Sequence, residues 1–208
     1  GTVPARATED LFRLPVDRAF TVRGTGTVVT GTVWSGTLRR DETVHVLPAG
    51  RAVRVRALQR HGVAVDSVAP GERAAIALAG VEVADVERGC VIVAGEGWAP
   101  TSLIRAEVAL LDWAPRSLGA RTRVRFHLGT TDVSARVVAS GGVVPGSRQS
   151  ARVGLDGPGV ARAGDRFAAR RARAAGASPP GPRGARRPPR APRRCGRTPA
   201  RPGSRATG

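Results

Sequence analysis

The stretch GTGTVVTGTV, residues 24–33, combines glycine with threonine and valine and decides the fold of this chain. Threonine and valine favour strands, whereas glycine weakens a strand because it loses the most backbone freedom on folding and offers no side chain to pack. Gly24, Gly26 and Gly31 therefore indicate a close approach of another segment or a sharp bend. We interpret residues 24–33 as one strand of a small barrel under tight geometric constraint.

Short segments of alternating polarity continue along the chain. In RAVRVRAL, residues 51–58, Val53 and Val55 share one face with Ala57, while arginines occupy the other face. The apolar residues of RVRFHL, residues 123–128, alternate with Arg and His in the same way. This period of two is typical of a half-buried strand, and Gly, Pro and Asp supply turns between the segments. No convincing helical pattern is present, so the predicted class is all-β, with two tandem small β-barrels.

Changes of composition divide the chain. The segment GEGWAPTS, residues 95–102, clusters Gly, Pro and Ser between two sets of strand patterns and is the predicted linker. The predicted parts are a linker remnant at 1–10, a first β-barrel at 11–97, a second and incomplete β-barrel at 101–170, and a disordered basic tail at 171–208.

The charge of this chain is unevenly distributed. All 34 basic residues are arginine, and the 16 acidic residues all precede residue 166, which leaves the tail with 11 arginines and no acid. The tail also lacks Leu, Ile, Val and Phe, so it cannot bury enough apolar surface to offset chain entropy. Its Arg, Ala, Gly and Pro content is what GC-rich DNA gives when it is read out of frame. We favour a frameshifted terminus, and the alternative is a nucleic-acid-binding arm.

The residue types exclude several chemistries. Without lysine, the chain has neither a GxxxxGK[ST] phosphate-binding loop nor an amine for Schiff-base catalysis, so no catalytic residue is assigned and we expect no enzyme activity from the chain itself. The cysteines and histidines are isolated and have no metal-ligand spacing, so no metal is expected. The chain has no initiator methionine, signal core or membrane-length apolar run. We expect a cytoplasmic chain that is incomplete at its N-terminus and binds no membrane.

The segment LPVDRAFTVRGTGTVVTGTVWSGTLRRDETVHVLPAGRAVRVRALQRHG, residues 14–62, resembles the second domain of translation elongation factors of the elongation factor Tu superfamily. FxxxGxGTVVTGxV marks the superfamily, whereas LPVDRxF, LPxGRxVRVRxLQxHG and GERAAIALAGV are similar to the selenocysteine-specific branch. FHLGTTDVSARVV at 126–138 and GDRF at 164–167 resemble the third domain of the same factors. The resemblance covers about residues 7–170 and implies two barrels of the translation-factor type.

The resemblance also implies a function. Such factors deliver selenocysteinyl-tRNA to the ribosome at recoded UGA codons, in a step that depends on GTP. Their GTPase domain precedes the two barrels and holds GTP and Mg²⁺, so no cofactor is expected in this chain. Winged-helix modules that bind the selenoprotein mRNA hairpin follow the barrels in the family. We expect the present chain to contact the aminoacyl end and acceptor region of the tRNA.

The resemblance assigns a selenocysteine pocket to Asp17, Arg18 and Arg73. A selenol is more acidic than a thiol, so selenocysteine is largely an anion at neutral pH, whereas serine is neutral. The arginines would favour that anion, and Asp17 would hold one arginine or accept a hydrogen bond from the aminoacyl ammonium group. His61, in the QxHG block, is a further pocket candidate, with a turn-capping histidine as the alternative.

A second set of candidates lies in the third-domain segment. Arg123, Arg125, His127 and Thr130 are candidates for contacts to tRNA phosphates, and an exposed basic strand face is the alternative. Two other functions stay open for the whole chain. One is the barrel portion of the GTPase regulatory subunit of ATP sulfurylase, and the other is a free-standing basic β-barrel that binds RNA.

Overall fold

The computed structural model describes residues 10–171, so the predicted linker remnant and tail lie outside the described residues except at Asp10 and Arg171. Within this range the chain is all-β, with a single 3-10 turn at Val83–Asp85. The first strands are β1 (Arg13–Val22), β2 (Gly26–Thr32), β3 (Leu38–Arg39), β4 (Thr43–Leu47), β5 (Arg51–Arg60), β6 (Val63–Val65), β7 (Ser67–Val68), β8 (Arg73–Leu78) and β9 (Val91–Val93).

Six of these strands close into a barrel. The order is β4, β9, β1, β2, β8 and β5, and the ring closes because β4 also pairs with β5. Strand β6 extends β5 as a hairpin, and β3 and β7 form a separate two-stranded ribbon. The period-two pattern of β5 is confirmed, since Val53 and Val55 are buried in the barrel core while Arg54 and Arg56 are exposed. The prediction of an all-β fold with a small closed barrel is therefore confirmed.

The glycines of residues 24–33 have two different roles. Gly31 permits a close approach, because a Cβ atom there would lie 2.3 Å from the carbonyl oxygen of Pro15 and 2.6 Å from a methyl carbon of Leu14. Gly24 and Gly26 have φ values of 81° and 93°; Gly24 lies in the turn between β1 and β2, and Gly26 is the first residue of β2. The prediction of one continuous strand over 24–33 was therefore wrong at its start, because residues 24 and 25 form the hairpin turn, where Gly24 takes a positive φ, and the strand begins at Gly26.

The remaining strands form a second sheet. They are β10 (Thr101–Ala109), β11 (Arg121–Leu128), β12 (Thr131–Val138), β13 (Arg148–Gly159) and β14 (Ala168–Arg171). Their order is β10, β13, β12, β11 and β14, and in the described part of the chain no ladder joins the edge strands β10 and β14. Val124, Phe126 and Leu128 are buried as predicted, and Phe126 stacks on Phe167 with ring centroids 4.9 Å apart. Arg171, predicted to belong to the tail, pairs with β11 instead.

Arg13 joins the barrel to the second sheet. Its side chain is 4% exposed, and Nη1 lies 2.9 Å and 2.7 Å from the two carboxylate oxygens of Asp165. Nη2 donates to the carbonyl of Val160 at 2.8 Å. The guanidinium also lies 4.8 Å from the ring centroid of Trp34 and 5.5 Å from that of Trp98. A buried cation is tolerated here because a carboxylate, a carbonyl and two aromatic rings replace water around its terminal nitrogens, whereas Nε finds no hydrogen-bond partner among the described residues.

The β11–β12 hairpin contacts the barrel at a second point. A Cβ atom at Gly129 would lie 3.0 Å from Trp34 and 3.1 Å from Pro15, so the hairpin backbone sits directly against these side chains. Beside it, the hydroxyl of Thr131 donates to the carbonyl of Gly89 at 3.1 Å. The barrel and the second sheet are thus packed together along the N-terminal half of β1.

The predicted linker contributes to this junction. Trp98 donates from Nε1 to the carbonyl of Ala94 at 3.2 Å and packs against an apolar cluster that contains Val160. Thr101 and Ser102 already belong to β10, so the irregular connection is shorter than the predicted range of 95–102. The linker therefore packs between the two parts and is more than a spacer.

Candidate functional site

Asp17 occupies a β-bulge in strand β1. Val16 pairs with Gly31 and Arg18 pairs with Thr30, so Asp17 is an extra residue with no partner in the ladder to β2. A bulge inserts one residue, bends the strand and redirects a side chain. The bulge turns Asp17 toward two neighbouring strands, and this is the local feature from which the site is built.

Three adjacent strands contribute to the site. The hydroxyl of Thr30, on β2, donates to Oδ1 of Asp17 at 2.6 Å. Nη1 of Arg73, at the start of β8, lies 2.6 Å from Oδ2 of Asp17. The ladder between β2 and β8 makes this possible, since it pairs Thr30 with Ala75 and Thr32 with Arg73. We call Asp17, Thr30 and Arg73 the Asp17 cluster.

The surroundings of Asp17 favour its charged form. Burial raises the pKa of this carboxyl, but the hydroxyl of Thr30, the guanidinium of Arg73 and the charge of Arg18 together hold the pKa below its ordinary value. The Asp17 side chain is 18% exposed, whereas that of Arg73 is 52% exposed. The cluster therefore has a fixed anion at its base and a cation at its surface.

Arg18 supplies a second cation beside the cluster. It follows Asp17 directly and is exposed, and its side chain makes no hydrogen bond or ion pair with any residue in the range 10–171. The structure thus brings together Asp17 and Arg73, the two pocket candidates on different strands, and leaves Arg18 close enough for its charge to act on Asp17. Two guanidinium groups next to one carboxylate give the site a net positive charge and suit a ligand that carries an anion.

His61 lies in the turn between β5 and β6. Its backbone has φ of 51° and is followed by Gly62 at 81°, so both residues adopt the left-handed conformation of a tight hairpin. The backbone N–H of Ala69 and the guanidinium of Arg60 lower the pKa of Glu72, and the charge of His61 adds a smaller effect. Among the described residues His61 makes no hydrogen bond or ion pair with the Asp17 cluster. The structure therefore places His61 in a turn, beside Glu72.

The candidates on the second sheet are only partly available to a ligand. Arg125 donates from Nε to Asp132 at 3.0 Å, and Nδ1 of His127 lies 3.5 Å from the same carboxylate. Arg123 is exposed and has no such partner in the described region. The hydroxyl oxygen of Thr130 is buried and finds no hydrogen-bond partner among the described residues. Of these four, Arg123 is the cation whose charge no carboxylate in the described region offsets.

The outer face of the second sheet carries arginines in addition to the candidates that were selected from the sequence. Arg105 stands directly opposite Arg152, and Arg123 stands opposite Arg136. Like charges in directly opposed positions destabilise a sheet. Arg105, Arg121 and Arg152 also line a concavity of about 600 Å³ with Ser140 and Ser150. The period-two pattern would have revealed these arginines had it been extended to strands β10, β12 and β13.

Clusters of metal ligands and long apolar helices are two further features that could indicate a function. No group of three or more His, Cys, Asp or Glu side chains within residues 10–171 is arranged to hold a metal ion. In the same range no helix has the length and apolar character needed to cross a membrane. The Asp17 cluster and the outer face of the second sheet are therefore the two candidate sites.

Comparison with known proteins agrees with this architecture. Residues 26–93 match the family model described as elongation factor Tu domain 2. A selenocysteine-specific elongation factor from Desulfomicrobium baculatum is 45% identical over 128 residues, which cover 62% of this chain and 20% of that protein. One from Methanocaldococcus jannaschii is 30% identical over 132 residues, covering 61% of this chain and 27% of the relative. Elongation factor 1-alpha from Metallosphaera sedula is 26% identical over 137 residues, which cover 65% of this chain and 31% of that protein.

The residues that match the elongation factor Tu domain 2 model, 26–93, lie within the part of the chain that forms the closed barrel, so this part of the chain is similar to that domain. Among translation factors, the chain is similar to the selenocysteine-specific elongation factors. It spans between about a fifth and a third of the length of the relatives that it matches.

Proposed function

We propose that this chain contributes the tRNA-binding barrels of a selenocysteine-specific elongation factor. In this proposal the Asp17 cluster and Arg18 receive the aminoacyl end of selenocysteinyl-tRNA, and the protein delivers that tRNA in the cytoplasm to the ribosome at recoded UGA codons. The observation that carries the proposal is the contact of Arg73 with Asp17 beside Arg18, on a barrel whose relatives include proteins named selenocysteine-specific elongation factors. The proposal assigns no nucleotide to these residues, because the sequence has no lysine for a phosphate-binding loop.

The chemistry of the cluster supports recognition of an acidic side chain. A selenolate can accept charge-assisted hydrogen bonds from Arg73 and Arg18, whereas the neutral hydroxyl of a seryl group gains much less from the same donors. Such bonds contribute about 1.5 to 3 kcal/mol. Because Asp17 already neutralises part of the charge of Arg73, we expect the lower end of that range, or about a tenfold preference.

Binding of two tRNAs that differ in one atom tests this proposal. The 208-residue chain is titrated with fluorescently labelled selenocysteinyl-tRNA and with seryl-tRNA of the same tRNA sequence. We expect about tenfold tighter binding of the first, and Arg73→Gln should bring the ratio close to one. Arg54→Gln is the matched control, because Arg54 is exposed and pairs with Asp41 on another part of the barrel. Equal weakening of both tRNAs by Arg73→Gln would contradict the pocket assignment.

The outer face of the second sheet favours an additional function in RNA backbone binding. Its opposed arginines place positive charges side by side on two pairs of neighbouring strands, and Arg123 is one of them. Phosphate contacts of this kind depend steeply on salt and carry no sequence information. A chain that only bound RNA in this way would show the salt dependence without any preference between the two aminoacylated tRNAs.

A further inference from the structure

The two oxygens of the Asp17 carboxylate have different partners, and one of these partners is Thr30. Oδ1 accepts the hydrogen bond of the Thr30 hydroxyl at 2.6 Å, and Oδ2 faces Nη1 of Arg73, also at 2.6 Å. The pair of Arg13 and Asp165 shows the contrasting arrangement, in which both carboxylate oxygens lie within 2.9 Å of a single guanidinium nitrogen.

This division matters because a guanidinium has five N–H donors in a planar fork. A carboxylate that turns both oxygens toward an arginine takes two of those donors in parallel. At Asp17, Oδ1 is already held by Thr30, and Nη1 of Arg73 faces the other oxygen, Oδ2. The other donors of Arg73, whose side chain is half exposed, are left for a ligand.

The backbone fixes this arrangement. Thr30 lies in strand β2 and pairs with Arg18, the residue directly after the bulge, so its side chain stands next to Asp17. As a β-branched residue in a strand, threonine has few rotamers and directs its hydroxyl consistently. Thr32, two residues further along β2, makes no side-chain hydrogen bond within the described residues and serves as a natural comparison.

We propose that Thr30 is a positioning residue of the aminoacyl pocket. It holds the Asp17 carboxylate in one orientation, and this orientation keeps the outer donors of Arg73 free for the anionic side chain of the ligand. The inference rests on the proposed function for its ligand, but its structural part concerns only Asp17 and Arg73. No covalent step is involved.

The first test is the titration of the Asp17 carboxyl, which is monitored by carbon-13 NMR of labelled aspartate. The Asp17→Asn variant assigns the signal, because the signal of Asp17 is missing from its spectrum. Thr30→Val keeps the shape of the side chain and removes the hydroxyl. We expect it to raise the pKa of Asp17, because the ionised form loses a donor that Arg73, already in contact, does not fully replace. Thr30→Ser should restore the pKa, and Thr32→Val should leave it unchanged. An unchanged titration in Thr30→Val would overturn the proposal.

The second test is the ratio of affinities for selenocysteinyl-tRNA and seryl-tRNA. Thr30→Val should reduce the ratio severalfold with little effect on seryl-tRNA, and Thr30→Ser should recover it. A ratio that stays at the wild-type value although the pKa of Asp17 has moved would overturn the role of Thr30 in selectivity. If the wild-type chain binds both tRNAs equally, the proposed function fails, and the titration still decides whether Thr30 positions Asp17. Thr30→Ala replaces the valine variant if that variant does not fold.

Discussion

Arg13 and Asp165 form an ion pair across the junction of the two parts of the molecule, with 2.7 Å between Nη1 and Oδ2. The two residues are 152 positions apart in the sequence, and the arginine side chain is almost completely buried. Both tRNA-binding candidates, the Asp17 cluster and the outer face of the second sheet, depend on this junction for their relative placement. The contact therefore connects the stability of the fold with the proposed function.

Replacing Arg13 with methionine should destabilise the chain strongly. The substitution leaves Asp165 without its cation and the Val160 carbonyl without a donor, and the loss of one partner of a buried pair costs about 3 to 5 kcal/mol. Because Asp165 is 19% exposed, we expect a value near the lower end. Urea unfolding measures it, with Arg148→Ala, in an exposed pair with Glu107, as a control expected to lose under about 1 kcal/mol. Similar losses in the two variants would show that the Arg13 pair is not a structural anchor.

Substitution of Gly31 by alanine should distort the barrel. The new Cβ would lie 2.3 Å from the backbone oxygen of Pro15, which cannot move aside as a flexible side chain can. We expect a loss of about 3 kcal/mol, at the upper end of the cost of overpacking. Gly154→Ala is the control, because a Cβ there meets nothing within 4 Å and the backbone needs no positive φ. Thermal unfolding compares the melting temperatures of Gly31→Ala and Gly154→Ala. Equal melting temperatures would be incompatible with a close strand approach at Gly31.

The contribution of Asp17 to stability should depend on pH. Its pKa in the folded chain lies below the ordinary value, so the ionised carboxylate stabilises the fold above about pH 3.9 and this contribution is lost as the pH falls through the folded-state pKa. Asp17→Asn removes the titration. We therefore expect the difference in unfolding free energy between wild type and Asp17→Asn to be larger at about pH 6 than at about pH 3. Urea unfolding at several pH values measures this difference, and a difference that does not vary with pH would rule out the effect.

Removing an arginine from the outer face should help folding and hinder RNA binding. Arg105 and Arg152 are directly opposed, and Arg152→Gln relieves a repulsion of about 0.2 to 1 kcal/mol. The same change should weaken binding of double-stranded RNA and make the slope of log K against log salt shallower by about 0.9 for each phosphate that Arg152 neutralises. Arg54→Gln, on the first barrel, should affect neither quantity to the same extent. A variant that binds RNA as tightly as wild type, with the same salt slope, would exclude Arg152 from the interface.

The sequence predicted the fold class because core and surface positions alternate within single strands. Val53 and Val55 lie in the core as that pattern requires, and so does Phe126. It could not predict the bulge at Asp17, because a bulge depends on the partner strand and leaves no mark on local alternation. The buried position of Arg13 was missed for the same reason. The residues that bury it, such as Asp165 and Trp34, are distant in the sequence, so the local pattern does not distinguish Arg13 from an exposed arginine.

The candidate site was predictable only in part. The contact between Asp17 and Arg73 agrees with the grouping that the family resemblance implied, and the roles of these residues stay a prediction. Thr30 escaped notice because a threonine in a strand is usual and its partner is set by the register of β1 and β2. The burial of the Thr130 hydroxyl could not be predicted from the sequence either, because it results from the packing of the β11–β12 hairpin in three dimensions.

The extra residue in β1 changes which positions of that strand carry the core. Before it, even-numbered residues such as Leu14 and Val16 point inward, and after it the odd-numbered Ala19 packs against the same core. Asp17 belongs to neither series, so its side chain can be exchanged without altering the inward set on either side. The strand thus separates the residue that meets the ligand from the residues that fill the core, and a barrel of this design can acquire a new specificity at one position while its interior stays the same.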